Sequence, residues 1–390
     1  MSSADATAGT VLPTRDPLSR PWRRRLPLLP ALHFTIVVTQ VPFALSIYYS
    51  LTDWTVNPPS PRKFVGLANY RELIGDQFFR EAAVTSVVMT VSAVLVSLLL
   101  GTLLAILVDR KFFGQGIVRT LLITPFLMNI WYSLTDWTIV PPSSRRYIGL
   151  DNYGDLPNDQ FFRDAAWVTV VMTVSAVLAS LVLGTLLAVL LDRKFFGRGV
   201  ARTLLITPFL IMPVVAGLIW KNQMFSGLYG VVNWVTARVG MDSIEFVSRY
   251  PLGSIVVVLV WQWTPFMMLI LLAGLQSQPA EVLEAAKVDG ASGFGTFRQL
   301  TLPHLRPYME LGTLLGTIYL IQVFDHVAVM TGGGPDSTNI PYFVYQRSIG
   351  GGWEFGKASA YSIVVVVASI IVATIALRVL SRLLRGEEIA

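Results

Sequence analysis

The chain has 390 residues, of which 53% are hydrophobic and only 14% are charged, and its formal net charge is +6. A soluble domain has about 25% charged residues, so the composition excludes an ordinary soluble protein. The absence of cysteine excludes disulfides, thiolate metal sites and cysteine nucleophiles. Apolar runs of roughly 18 to 26 residues recur along the chain, and such a length spans the ~30 Å core of a bilayer as a helix. These features predict an all-α, polytopic membrane protein.

The N-terminal part predicts a tail followed by a retained first span. Residues 1–20 are polar and without pattern, which indicates a disordered cytoplasmic tail. Four arginines between residues 20 and 25 then precede an apolar run from Leu26 to Leu51. This run is longer than the apolar part of a signal peptide and ends without a small-residue cleavage site. A polar loop from Thr52 to Arg80 leads to a second span, Ala83 to Val108.

The sequence then repeats itself. Residues 47–127 align with residues 130–210 without a gap, and about 70% of the positions are identical. The segment YSLTDWT at 49–55 returns at 132–138, and DRKFFG at 109–114 returns at 192–197. Most differences are conservative. We interpret the repeat as an old duplication or a recombination between relatives, because a recent copying error would leave perfect identity.

The junction between the two copies decides their orientation. Ile117 to Leu134 offers about 17 mostly apolar residues, which is the short end of spanning length. If the junction spans, the repeat inserts two crossings, and every later element keeps its orientation. A re-entrant junction is the alternative, and it would place the second polar loop on the other side.

Four further spans are predicted after the second copy, at Thr203–Trp220, Gly253–Leu275, Met309–Met330 and Ala358–Leu380. The total is about eight. Basic residues concentrate at the ends that are expected to lie inside, which accounts for the net charge by membrane topology rather than by nucleic-acid binding. We therefore predict that both termini, including a short tail at 384–390, are cytoplasmic. The glycine-rich segment TGGGPDST at 331–338 lacks the Gly-Lys-Ser/Thr ending of a phosphate loop, which favours an outer turn.

Two predicted spans carry polar side chains that are costly inside a membrane and are therefore candidates for function. Aromatic faces beside amide and carboxylate groups suit a polyhydroxylated ligand. The alternatives are interfacial anchoring by tryptophan and hydrogen bonding between helices. A proton relay through Asp325 and His326 would instead indicate a secondary transporter. The candidate substrate-path residues are Trp261, Trp263, Tyr319, Gln322 and Asp325.

The longest polar interruption of the apolar C-terminal half is Glu281 to Pro307. Its first part predicts a short helix that stops at Gly290, and small residues crowd around that stop. Pro303 is expected to break the chain before the next apolar run. The order Glu284-Ala285-Ala286, then Gly290, then Leu300 and Leu302-Pro303 resembles the "EAA" loop of binding-protein-dependent ABC importer permeases. Leu300 stands where that family usually has isoleucine.

The resemblance covers nearly all of residues 20–383 once one copy of the repeat is set aside. The segments WQWTPFMMLILLAGLQSQP before the loop and VFDHVAVMTGGGP after it are similar to the carbohydrate-uptake branch, of maltose and glycerol-phosphate type. The segment NIPYFVYQRSI with WEFGKASAYSIVVVV is similar to polyol permeases. The extra copy departs from the family's six-span core.

The resemblance implies a permease domain over residues 21–383 in a prokaryotic inner membrane, with no enzymatic activity of its own. The partners would be a second permease, a dimer of ATP-binding subunits that holds ATP and magnesium, and an extracytoplasmic binding protein. The cargo would be a sugar or polyol. No Walker motif occurs in the chain, in keeping with a separate ATPase. The implied coupling residues in the loop 281–307 are Glu284, Ala285, Ala286, Asp289, Gly290, Leu302 and Pro303.

Two other function classes stay open at the sequence level. A permease relic or scaffold, disabled by the duplication, would lack the partners, and a secondary transporter would not need the coupling loop.

Overall fold

The computed structural model describes residues 28–55, 61–109, 116, 120, 124–193, 195 and 197–385. The tail predicted at 1–20, most of the tail at 384–390 and the first part of the junction lie outside these residues. Within them the fold is helical, and extended pairing is limited to two isolated bridges, Thr52 with Phe64 and Thr135 with Tyr147. The predicted all-α class is confirmed.

Seventeen α-helices follow in chain order among the described residues. They are α1 (Leu28–Ser50), α2 (Ala68–Gly75), α3 (Gln77–Asp109), α4 (Thr124–Ser133), α5 (Asp151–Gly154), α6 (Gln160–Asp192), α7 (Arg198–Leu210), α8 (Pro213–Ile219), α9 (Val231–Arg238), α10 (Phe246–Arg249), α11 (Pro251–Ser277), α12 (Ala280–Val288), α13 (Gly293–Thr296), α14 (Leu302–Leu320), α15 (Asp325–Met330), α16 (Ile340–Ser348) and α17 (Phe355–Arg385). A 3-10 turn spans Leu156–Asn158, and π-helical turns span Trp220–Met224 and Phe297–Thr301.

Four helices are long and apolar enough to cross a membrane: α3, α6, α11 and α17. The count over the described residues becomes five if α7 and α8 are taken as one bent span. The predicted total of eight spans stays a prediction.

The core is built around α11, which packs against α6, α7 and α14. Two glycines let these helices approach closely. A Cβ on Gly184 of α6 would lie 2.6 Å from the Cβ of Met267, and a Cβ on Gly316 of α14 would lie 2.5 Å from its Cε. Small residues at such crossings are typical of helix packing in membranes, where dispersion contacts rather than water exclusion hold helices together.

The span predicted at Thr203–Trp220 is divided between two helices, α7 and α8. The axes of α7 and of the segment that begins with α8 differ by 99°, and Ile211 and Met212 form the break between them. Pro213 explains the break, because a proline disfavours helical backbone in the residue before it, and Met212 is accordingly extended, with ψ 134°.

The span predicted at Met309–Met330 is also interrupted. α14 ends at Leu320 and α15 starts only at Asp325. The amide of Asn339 donates a hydrogen bond to the carbonyl of Val323, so backbone that leaves the helix here keeps a partner.

The break predicted at Pro303 is wrong. Pro303 lies within helical backbone, directly after the π-helical turn Phe297–Thr301, where the regular hydrogen-bond pattern is already interrupted. Helical backbone runs from Gly293 through the π-helical turn to Leu320.

The polar loops of the two repeat copies fold alike. In the first copy the amide of Asn69 donates to the carbonyls of Ser50 and Thr52, at 2.9 and 2.8 Å. In the second copy Asn152 donates to the corresponding carbonyls of Ser133 and Thr135, both at 2.8 Å.

The spans of the two copies differ in environment. Half of the most apolar window of α6 is buried, whereas none of that of α3 is. The span of the second copy, α6, therefore belongs to the packed core, and the span of the first copy, α3, lies outside it.

Candidate functional site

A cavity of about 540 Å³ lies where α7, α11, α14 and α15 meet. It adjoins both irregular segments described above, the bend after α7 and the break after α14. Its lining residues are Phe209, Ile211, Pro213, Gln262, Trp263, Phe266, Tyr319, Gln322, Val323, Phe324, Asp325 and His326. Non-helical backbone at membrane depth is tolerated where protein buries it or where it borders a cavity, and both breaks meet that condition.

Aromatic rings form one wall of the cavity. Trp263 is central to it, with ring centroids 5.6 Å from Tyr319, 5.4 Å from Phe266 and 5.7 Å from Phe209. Phe209 and Phe266 stack at 5.2 Å with an interplanar angle of 23°. This wall offers a broad apolar face held by rings from three helices.

Gln262 joins the two irregular segments. Its Nε2 donates to the carbonyl of Ile211 at 2.8 Å, which is a carbonyl at the bend between α7 and α8. Its Oε1 lies 2.8 Å from Nε2 of His326, at the start of α15. Gln262 and His326 are both buried, so the pair fixes the two breaks against α11 from inside the bundle.

Substitution of Gln262 by leucine should therefore lower the stability of the bundle. It leaves the Ile211 carbonyl and the His326 ring without their partner, and each such buried group costs about 1–3 kcal/mol. We expect the unfolding midpoint of the purified protein to fall by several degrees, measured by thermal denaturation in detergent. Gln262→Glu, which keeps an acceptor for His326, should lose less. Equal midpoints for Gln262→Leu and the unaltered chain would contradict this role.

Four of the five residues predicted on the substrate path line the cavity: Trp263, Tyr319, Gln322 and Asp325. Trp261 does not. It packs against Phe43 and Trp220, with centroids at 5.8 and 5.6 Å. The two tryptophans are two residues apart, or about 200° around a helix, so they face opposite sides of α11.

Sequence reasoning missed Phe209 and Phe266. A signal was present, because both occur in a Thr-Pro-Phe triplet, at 207–209 and at 264–266.

The loop 281–307 contains a short helix with a well-defined end. α12 ends in a Schellman motif, in which Ala291 N donates to Ala286 O at 2.9 Å and Gly290 N donates to Lys287 O at 3.2 Å. Gly290 is left-handed, with φ +78°, so the turn requires glycine. Ser292 then starts the next helix by accepting a hydrogen bond from Gly295 N at 3.1 Å.

Most of the predicted coupling residues lie on the surface of this loop. Glu284, Ala285, Asp289 and Gly290 are exposed, Leu302 and Pro303 are half-buried, and Ala286 is buried. Large apolar side chains accompany them, since Val288 is 87% exposed and Phe294 is 75% exposed. Exposed apolar groups beside small residues are typical of a surface that packs against another protein.

The loop is fastened to the bundle at its two ends. Oγ of Ser277, at the end of α11, lies 2.8 Å from the hydroxyl of Tyr308 and 3.1 Å from Nε2 of His304, both on α14. Gly274 permits this contact, because a Cβ there would lie 2.7 Å from the Tyr308 ring. These contacts hold the start and the end of the loop together through α11 and α14.

A cluster of charged and polar groups closes the opposite end of the bundle. Asp159 caps α6 and accepts hydrogen bonds from Arg347 at 3.2 Å and from Tyr361 at 2.8 Å. Arg347 also binds Glu354 at 3.1 Å. The cluster joins α6, α16 and α17.

Arg347→Met should destabilise the protein by about 1–2 kcal/mol, because it removes the charged hydrogen-bond partner of Asp159, a side chain only 12% exposed. Lys357→Met provides the control, since its partner Asp155 is 68% exposed and such pairs contribute little. Chemical denaturation should give a lower free energy of unfolding for Arg347→Met than for Lys357→Met. Equal loss in both would show that the cluster is not a stabilising element.

Residues 180–386 match the family described as binding-protein-dependent transport system inner membrane component. A probable ABC transporter permease of Sinorhizobium fredii is 37% identical over 71% of this chain and 89% of its own length. The trehalose/maltose transport system permease protein MalF of Thermococcus litoralis is 34% identical over 63% of this chain and 84% of its own.

Among solved structures, the chain resembles a bacterial ABC transporter that imports the acidic polysaccharide alginate. The TM-score is 0.59 with 19% identity, over 75% of this chain and 99% of that one. At this identity the likeness shows a shared fold.

Proposed function

Because the chain belongs to the family of binding-protein-dependent transport system inner membrane components, we propose that it is a permease subunit of an ATP-driven importer for a neutral sugar or polyol. One observation carries the proposal. The same two helices, α11 and α14, carry aromatic residues of the cavity wall and, farther along their axes, the two ends of the loop 281–307. The distance along α11 from Trp263 to Ser277 is about 21 Å at 1.5 Å per residue.

The cavity has the chemistry that a sugar requires. The C–H faces of a sugar ring pack on aromatic rings, and Trp263 and Tyr319 supply adjoining faces. Gln322 and Asp325 supply an amide and a carboxylate that can exchange hydrogen bonds with hydroxyl groups. Sugar permeases among the relatives, such as the trehalose/maltose permease, support this class of cargo.

The charge of the lining favours a neutral cargo. The described lining contains one carboxylate, that of Asp325, and neither lysine nor arginine. An anionic ligand would meet a like charge at short range in surroundings of low dielectric, which is unfavourable. Sugar phosphates and uronic acids should therefore be excluded, whereas trehalose, maltose or a hexitol should fit.

Coupling would proceed through the loop 281–307. A groove of a separate ATPase subunit, which binds ATP and magnesium, would receive α12, with its exposed Val288, and the neighbouring α13, with its exposed Phe294. Closure of that ATPase would favour one of two permease states, and the clamp of Ser277, His304 and Tyr308 would pass the displacement to α11 and α14. The cavity and the ATPase contact would then be connected by the same two helices, α11 and α14.

The remaining parts of the assembly follow the same scheme. A second, related permease would enclose the other side of the path, and an extracytoplasmic protein would deliver the cargo. The junction at 117–134 would cross the membrane, which gives eight spans and places both termini in the cytoplasm. A disabled relic fits less well, because α6 completes a packed core in spite of the extra copy.

Proteoliposomes provide the test. They would contain this chain, its candidate second permease and its candidate ATPase, with the binding protein added outside. ATP hydrolysis should rise severalfold with binding protein and a neutral sugar, and it should not rise with the corresponding sugar phosphate. An assembled complex whose ATPase activity responds to no sugar would contradict the assignment.

A further inference from the structure

The surface that α6 presents to the core occurs a second time, on α3. Eleven of the fourteen buried residues of α6 have an identical counterpart in α3, including Gly101 for the close-packed Gly184. The three differences are Thr85 for Val168, Ser86 for Thr169 and Val108 for Leu191, and all are small changes in volume. The larger change of Trp167 to Val84 falls on an exposed face of α6.

The residues that fasten the second copy to α16 and α17 also have counterparts in the first copy. Asp159, which binds Arg347 and Tyr361, corresponds to Asp76. Phe162, whose ring lies 5.1 Å from that of Tyr361, corresponds to Phe79. Trp137, which stacks on Phe355 at 4.8 Å, corresponds to Trp54.

Their partners are not duplicated. Arg347, Phe355 and Tyr361 lie after the repeat and occur once, as does α11. The chain thus has two near-identical occupants and one groove, formed by α11, α16 and α17.

We propose that either copy fills this groove, so that the chain assembles in two packings. In the packing described above α6 is inside. In the other, α3 packs on α11 of the same chain, and Asp76 binds Arg347 and Tyr361. The exchange requires both copies to have the same orientation in the membrane, which a crossing of the junction provides. It does not depend on the identity of the cargo.

The proportion of the two packings follows from chain order. Both copies are synthesised before α11, so they compete when α11 arrives. The separation of Gly184 from Met267 is 83 residues, and that of Gly101 from Met267 is 166 residues. Doubling a loop lowers the probability of closure about threefold. In addition, the first copy must release the contact of Trp54 with Tyr229, at 4.9 Å. The second copy is therefore the major occupant.

Cysteine pairs can report which copy is inside, and the chain has no cysteine of its own to remove. Lys357 lies 3.5 Å from Asp155, and both side chains are exposed, so their replacement should perturb little. The counterpart of Asp155 in the first copy is Glu72. One full-length chain would carry Asp155→Cys with Lys357→Cys, and the other Glu72→Cys with Lys357→Cys. A short bis-maleimide would be applied to membranes.

We expect both pairs to crosslink within one chain, the Glu72 pair less by about threefold or more. Asp159→Asn should raise the Glu72 crosslink by up to about tenfold, since it weakens only the anchor of the second copy. Asp76→Asn should lower the Glu72 crosslink and leave the Asp155 crosslink unchanged. A merely structural role of Asp159 would weaken the Asp155 crosslink without any gain at Glu72.

Two results would overturn the proposal. One is the absence of a Glu72 crosslink both with and without Asp159→Asn, in chains that give the Asp155 crosslink. The other is a Glu72 crosslink that joins two chains, which would indicate a swapped dimer. Neither readout uses transport, so failure of the exchange is distinct from failure of the proposed import function.

Discussion

Gly290→Val should abolish sugar uptake while the protein still inserts and folds. A non-glycine residue in the left-handed region costs about 1–2 kcal/mol, and a β-branched side chain costs more. Nothing lies within 4 Å of the position where a Cβ would be, so the strain is confined to the turn after α12. The turn would change shape, and the exposed face of α12 would be misaligned with its partner. Each loss of about 1.4 kcal/mol in the free energy of docking lowers the affinity of the loop for its partner tenfold. Uptake of labelled sugar by whole cells is the measurement.

The same loop provides matched controls. Gly293 also has open space at its Cβ, but its φ is not positive. Gly293→Val should therefore retain most of the uptake. Glu284→Ala should lose uptake, because Glu284 is the acidic residue of the coupling pattern, whereas Glu281→Ala on the same helix should not. Normal uptake in Gly290→Val, at normal abundance in the membrane, would contradict coupling through this loop.

Trp263→Ala should reduce the apparent affinity of uptake by about tenfold, equivalent to ~1.4 kcal/mol, with normal amounts of protein. Trp263 is the centre of the aromatic wall, and its loss removes the face on which a sugar ring would pack. Trp263→Phe should restore most of the affinity. Concentration-dependent uptake of labelled sugar measures the effect.

Trp261→Ala should behave in the opposite way. Trp261 is 6% exposed and lies between Phe43 and Trp220, away from the cavity. Truncation of a buried tryptophan costs about 3–5 kcal/mol, so abundance and thermal stability should fall. Any protein that remains should have an unchanged apparent affinity. Reduced affinity in Trp261→Ala with unchanged stability would place the cargo on the other face of α11.

Elements that depend on composition and local backbone chemistry could be predicted from the sequence alone. Long apolar runs predicted α3, α11 and α17, because the length of a span is a property of the run itself. The Gly290 turn was predictable for the same reason, since only glycine adopts φ +78° at little cost.

Apolar content alone did not predict the breaks, because it does not report backbone direction, although Pro213 was a local signal for the first of them. Thr203–Trp220 and Met309–Met330 are continuous in hydropathy, yet Met212 and Ile321–Phe324 leave the helix. At the first break the carbonyl of Ile211 accepts a hydrogen bond from Gln262, which is 51 residues away in the sequence. At the second break the carbonyl of Val323 accepts one from Asn339, which is 16 residues away. Such partners are known only once the fold is known. Likewise, nothing in the span of α3 indicates that α6 rather than α3 occupies the core.

Uptake in cells that lack this gene tests the central claim most directly. Cells would receive labelled trehalose, maltose, sorbitol or mannitol, with glycerol phosphate as the anionic control. We expect selective loss of one neutral substrate in the deletion strain, full recovery with the intact gene, and no recovery with Gly290→Val expressed at the same level. Recovery by Gly290→Val, or unchanged uptake of every neutral sugar in the deletion strain, would contradict a sugar permease coupled through the loop 281–307.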